Sequence, residues 1–135
     1  LTEPCNTLGI DIEVYKNRSF MRLARHYFAP EEVSELELLS GLEQRHCFFK
    51  FWVLKESLAK FTGSGLSSKL LRSVFVAQQN SAGPVSFFTH GADWALSLTA
   101  KNAAQISYYE AVFGGDVLTL RPQIREFQGW QPPIL

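Results

Sequence analysis

The stretch from Glu43 to Thr62 constrains this chain more than any other, because it is apolar nearly all the way round a helix. At about 100° per residue, Phe51, Leu54, Leu58 and Phe61 share one side, while Phe49, Trp52 and Val53 fall beside Glu56 on the other. A helix with two apolar sides is buried on both. Gly63 and Gly65 end it, since glycine adopts the left-handed turn that closes a helix. Glu56 and Lys60 stand among its large apolar residues, and burying an uncompensated charge is costly. An i,i+4 ion pair between them, contributing roughly 0.2–0.5 kcal/mol, is the simplest compensation. Lys55 is then a solvated flank residue.

A core of that size fits a chain of 135 residues with 46% hydrophobic and 13% aromatic residues. Such a composition excludes global disorder and fits one domain. Thirteen basic residues balance thirteen acidic ones, so no bulk positive field exists to hold nucleic acid or an anionic membrane. Charged residues make up 19% of the chain, below the usual share of about 25%, which points to surface hidden against another chain or domain. No apolar run approaches membrane-spanning length and no leader precedes the first strand. The first residue is Leu1 rather than Met, so a fragment, a processed product or an incomplete record is expected. Cys5 and Cys47 form no C-x-x-C pair, which argues against zinc and for free thiols in a reducing cytoplasm.

Around the long helix, the pattern predicts one strand, three helices and then several strands, an α+β order. Leu8–Val14 reads as an edge strand of period two. Ser19 is a candidate N-cap for a helix through Phe20, Leu23, Ala24 and Tyr27, and Pro30 opens a second helix with Val33, Leu36 and Leu39 inward. Leu70–Gln78, Val85–Thr89, Trp94–Thr99, Ile106–Val112 and Val117–Leu120 read as strands separated by Gly-, Asn- and Asp-rich turns. Residues 1–121 form the domain, and 122–135 form a proline-containing tail without assigned structure.

The first strand carries chemistry of its own. Asp11 and Glu13 lie two residues apart, so their side chains share one sheet face and Ile10 and Ile12 take the other. Neighbouring carboxylates repel unless a cation compensates. Read alone, they are an acidic face turned to solvent; read as ligands, paired hard oxygens suit Mg²⁺.

Taken together, Leu8-Gly9-Ile10-Asp11-Ile12-Glu13, then Phe49-Lys50-Phe51-Trp52-Val53-Leu54-Lys55-Glu56-Ser57-Leu58-Ala59-Lys60, then Gly63-Ser64-Gly65-Leu66-Ser67 resemble the 4′-phosphopantetheinyl transferase superfamily. Its pattern is G-(I/V)-D-x-E, W-x-x-K-E-(S/A)-x-x-K and G-x-G-(L/I). The resemblance is to the surfactin-synthetase-activating type and covers Gly9 to Ser67. It implies transfer of the phosphopantetheine arm of coenzyme A to a serine of an acyl or peptidyl carrier protein, releasing 3′,5′-ADP. By match, Asp11, Glu13 and Glu56 hold Mg²⁺, and Lys55 and Lys60 contact phosphate groups of coenzyme A. Three carboxylates, one Mg²⁺, a pyrophosphate and two lysines leave about one net negative charge; without the lysines about three remain. Phe28-Ala29-Pro30-Glu31-Glu32 matches the block that precedes a proposed general base, so Glu32 is that candidate. Its other reading is a helix N-terminal acid favouring the macrodipole.

Lys16, Arg18, Arg22, Arg25 and His26 form a local basic cluster, read chiefly as the wet face of a helix, with a 3′-phosphate or an acidic carrier as its functional reading. His46 and His90 show no partner in sequence, and Trp94, Tyr108 and Tyr109 read as core or interface residues. Enzymes of the surfactin type are about twice as long and built of two similar halves around coenzyme A. This chain resembles the C-terminal half. A missing N-terminal half or a second copy is therefore expected as partner. The alternative to catalysis is a half-domain that only binds coenzyme A or a carrier protein.

Overall fold

The computed structural model describes residues 8–17, 19–77, 83–102, 108–123 and 127–133. Its centre is α3 (Gly41–Thr62), the expected long helix, begun two residues before Glu43 and closed by Gly63 in the left-handed conformation, φ +69°. Phe48, Phe49, Val53 and Leu54 on it are fully buried. The two apolar sides are covered by different layers. A sheet lies on one, and α1 (Phe20–Tyr27), α2 (Pro30–Glu37) and the short α4 (Ser68–Leu71) pack around the other. Phe28, just after α1, sits between Phe48 and Phe51 of α3, with ring centroids at 5.3 and 6.1 Å.

The sheet contains β1 (Leu8–Val14), β2 (Val76–Ala77), β3 (Val85–His90), β4 (Trp94–Ala100) and β7 (Gln128–Gln131), in the order β1-β4-β3-β7-β2. The pairings within it are antiparallel. A separate hairpin joins β5 (Tyr108–Gly114) and β6 (Val117–Gln123). Helices on one face of an antiparallel sheet make this an α+β fold. The segment after Pro122, left unassigned in sequence, supplies β7 to the middle of the main sheet.

The sidedness of β1 differs from the simplest reading of its pattern. Asp11 is buried and Glu13 half-buried against α3, whereas Leu8, Ile10, Ile12 and Val14 are about half exposed, between 48% and 58%. The acidic face is the inner one. Gly9 explains how. A Cβ on Gly9 would stand 1.9 Å from the Ser57 carbonyl oxygen and 2.5 Å from the Phe61 nitrogen. The strand backbone therefore rests directly on the helix, with no room for Ile side chains between them.

The described part of the expected Leu70–Gln78 strand, Leu70–Ala77, is not one strand. Ser67 accepts the Leu70 amide hydrogen at 3.1 Å and starts the α4 turn, which buries Leu70 and Leu71 together; only Val76–Ala77 is strand. There are thus four helices among the described residues rather than three. Ser19 precedes α1 as expected but makes no side-chain cap bond. No helix among the described residues is long and apolar enough to cross a membrane. Cys5, Arg18, Gln78 and the start of the expected Ile106–Val112 strand lie outside the described residues.

Candidate active site

Period-two alternation on β1 points Gly9, Asp11 and Glu13 toward α3, and the helix presents Glu56 and Lys60 one turn apart above them. Lys60 donates to Asp11 Oδ1 at 2.7 Å. The expected Glu56–Lys60 pair is thus replaced by a helix-to-strand pair, because Asp11 comes up beneath the lysine. Asp11 Oδ2 is buried without a hydrogen-bond partner. The bond to Asp11 raises the Lys60 ammonium pKa above its ordinary value, and the charges of Asp11, Glu56 and Glu13 add to it. Glu56 is half-buried. Burial pushes its carboxyl up, the negative charge of Asp11 adds to that, and Glu13 acts in the same sense against the relief from Lys60. Three carboxylates thus share one ammonium, a patch short of positive charge. Among the described residues, no three His, Cys, Asp or Glu side chains stand close enough as placed to enclose a metal ion. The chemistry of the set still suits a hard cation: oxygen donors, excess negative charge and one buried oxygen without a partner.

Lys55 and Glu32 are not in this patch. Adjacent helix residues are turned about 100° apart, so Lys55 faces the helical layer while Glu56 faces the strand. Lys55 is fully buried, not a solvated flank. Its Nζ lies 2.8 Å from Glu32 Oε1 and 2.6 Å from the Ser73 carbonyl oxygen. The rings of Phe28 and Phe75 stand 5.3 and 5.9 Å from it. Glu32 is 2% exposed, and its other oxygen accepts the Ala29 N–H at 3.2 Å, closing the start of α2. Burial raises the Glu32 carboxyl pKa and lowers that of the Lys55 ammonium, while their mutual attraction opposes both shifts. Both Glu32 oxygens are engaged, and no face of the pair is open to a substrate. Sequence reasoning missed the Ser73 carbonyl, which no side-chain pattern signals.

The basic residues of α1 are exposed as expected. Arg25 pairs with Glu37 at 3.1 Å, and Arg22, Arg25 and His26 line an open surface cavity of about 640 Å³. His46 has a partner after all: Tyr15 OH lies 2.5 Å from its Nδ1. Burial pushes the Tyr15 phenol up to about 12, so it keeps its proton, and it donates to Nδ1 or accepts from it according to the imidazole tautomer. The His90 ring stands 4.7 Å from that of His46. Trp94 is half-buried and Tyr109 exposed. Cys47 is a free, buried thiol whose pKa burial pushes up to about 12, which leaves it a poor nucleophile.

An acidic strand under a long helix, in an α+β half-sheet, is the frame to which comparison with known proteins adds a family. Residues 7–112 match the profile of the 4′-phosphopantetheinyl transferase superfamily, and the chain belongs to that family. Among its relatives, the 4′-phosphopantetheinyl transferase Sfp of Bacillus subtilis (strain 168) is 40% identical over 63 residues, 47% of this chain and 28% of Sfp. A second Bacillus subtilis 4′-phosphopantetheinyl transferase is 38% identical over 63 residues, with the same shares of 47% and 28%. The 4′-phosphopantetheinyl transferase HetI of Nostoc sp. is 34% identical over 61 residues, 44% of this chain and 26% of HetI. The matched stretch spans little more than a quarter of these relatives.

Proposed function

We propose that this chain is the metal-binding half of a cytoplasmic transferase. It moves the 4′-phosphopantetheine arm of coenzyme A to a serine hydroxyl of an apo acyl or peptidyl carrier protein. The observation that carries the reading is the convergence of Asp11, Glu13, Glu56 and Lys60, with the buried, unpartnered Asp11 Oδ2. Family membership and the names of the relatives support the reaction class. Asp11, Glu13 and Glu56 would hold Mg²⁺, which when bound would offset the charge of the coenzyme A pyrophosphate.

The chain's own groups then divide the work. Lys60, half exposed and balanced on Asp11, reaches toward phosphate without leaving the patch. The attacking serine oxygen forms a bond to the β-phosphorus, the bridging P–O bond breaks, and 3′,5′-ADP leaves. The serine proton passes to a carboxylate of the patch, with Glu56 the half-buried candidate on the helix. Lys55 and Glu32, expected as phosphate contact and base, act instead as an internal lock between α2, α3 and Ser73, because both are buried away from the surface that a substrate could reach.

The outer face of β1 bears on the partner. Leu8, Ile10, Ile12 and Val14 lie across from Ala100, Leu98, Leu96 and Trp94, forming a continuous apolar layer. A further half of a longer protein, or a second copy, would cover it and complete the substrate cleft.

The test is mass spectrometry of an apo carrier protein incubated with the complete gene product, coenzyme A and Mg²⁺. The carrier should gain one phosphopantetheine arm. Glu56→Gln should abolish the gain and, by relieving repulsion with Asp11 and Glu13, raise the melting temperature of the metal-free protein. No gain across several carriers rejects the reading. Calorimetric binding of coenzyme A without transfer would favour the binding half-domain instead.

A further inference from the structure

Ser57, next to Glu56 on α3, is fully buried, as are Ser97 and Thr99 of β4 and Ser86 of β3. Ser57 Oγ lies 3.0 Å from the Leu54 carbonyl oxygen, 2.8 Å from Ser97 Oγ and 2.9 Å from Thr99 Oγ1. Ser86 Oγ lies 2.7 Å from Thr99 Oγ1. Each hydroxyl has one proton to give. The Leu54 carbonyl can only accept, so Ser57 donates to it. Ser97 and Thr99 must then donate to Ser57, and Ser86 to Thr99. The four protons fill the four bonds in a single arrangement, and every one of them runs toward the helix.

This ladder lies directly beside the acidic patch. Ser97 stands opposite Asp11 in the sheet register, and Thr99 opposite Gly9. The Ser57 carbonyl is also the wall against which Gly9 rests. One residue thus ties α3 to β4 through its side chain and bounds β1 through its backbone. Apolar packing tolerates sliding and rotation, whereas a hydroxyl network with one proton arrangement does not.

We propose that Ser57 is a positioning residue of the acidic site. Its ladder fixes the height and rotation of α3 over β1 and β4, and so sets Glu56 and Lys60 against Asp11 and Glu13. The inference rests on the cation-site reading only for its metal readout.

The experiment compares Ser57→Ala, Ser86→Ala and the fourfold variant Ser57→Ala/Ser86→Ala/Ser97→Ala/Thr99→Val in the 135-residue chain. Three properties are measured: melting temperature, the ¹⁵N signal of the Lys60 ammonium hydrogen-bonded to Asp11, and Mn²⁺ affinity. Ser57→Ala should lose the Lys60 signal and bind Mn²⁺ about tenfold more weakly. Ser86→Ala, which removes only a terminal donor, should keep both. The fourfold variant strands none of the four hydroxyls, so it should regain the melting temperature without regaining the Lys60 signal. An unchanged Lys60 signal in Ser57→Ala overturns the proposal. So does a Lys60 signal that returns with stability in the fourfold variant. A wild-type chain that binds no Mn²⁺ rejects the cation site, while the Lys60 signal still decides the role of Ser57.

Discussion

At the scale of single residues, the largest departure from a local reading is Lys55. Its neighbours in sequence mark it as a flank of Glu56, yet its partners, Glu32 and the Ser73 carbonyl, come from other segments. Composition and helical phase place a charge on a helix face, but not the element that will arrive there. Lys55→Met leaves Glu32 as an unpaired buried carboxylate and should cost about 3–5 kcal/mol in urea unfolding. Adding Glu32→Gln should recover much of that loss, since the second charge is then gone. His46 makes a pH prediction. Burial, then the charges of His90 and Arg45, lower its pKa below the ordinary imidazole value. The unfolded chain therefore takes up that proton first, and the associated stability is present above about pH 6.5 and lost as pH falls below it. Unfolding measured from pH 7.5 to 5.5 should show this loss, and His46→Gln should flatten it. Strand period joined Asp11 to Glu13 and helix phase joined Glu56 to Lys60, and only the family resemblance put the two pairs together; which carboxylate Lys60 would choose was not legible.

At the scale of elements, α3, β1, β3 and β4 were legible within one or two residues, because each carries a sustained period. What the period could not supply was sidedness. Alternation says that Asp11 and Ile12 point apart, and hydrophobicity alone would turn Ile12 inward. The structure does the reverse because Gly9 lets the helix backbone close on the strand, leaving space for carboxylates and hydroxyls at the contact and none for branched side chains. Gly9→Ala should therefore push β1 off α3. Overpacking of this kind costs about 1–3 kcal/mol, so a matching drop in unfolding free energy is expected. A similar substitution at Gly63, where only the positive φ and no neighbour is at stake, should leave the β1 amide resonances unmoved. The error at Leu70–Gln78 has a similar origin. An apolar run reads equally as strand or buried helical turn, and the Ser67 cap decided it.

At the scale of the whole molecule, the main sheet keeps its polar side within and much of its apolar side without. Leu8, Ile10, Ile12 and Val14 form a row of large side chains at the sheet edge, larger in extent than isolated surface residues need be. That arrangement, together with the matched stretch being little more than a quarter of its relatives, is what low charge content alone could only hint at. Ile12→Lys should leave the melting temperature near wild type while reducing dye binding and self-association in sedimentation. A protein already covered by its own further half would show neither effect. The enclosed lysine carries a last consequence, one of reaction rates rather than of structure. Amine-reactive reagents need an exposed amine, so the exposed Lys69 should be labelled first, whereas Lys55 can be labelled only when α2 and the Ser73 segment part from α3. The lag between the two lysines is thus a clock for that opening, and its dependence on urea would tell whether the lock yields alone or only when the chain unfolds.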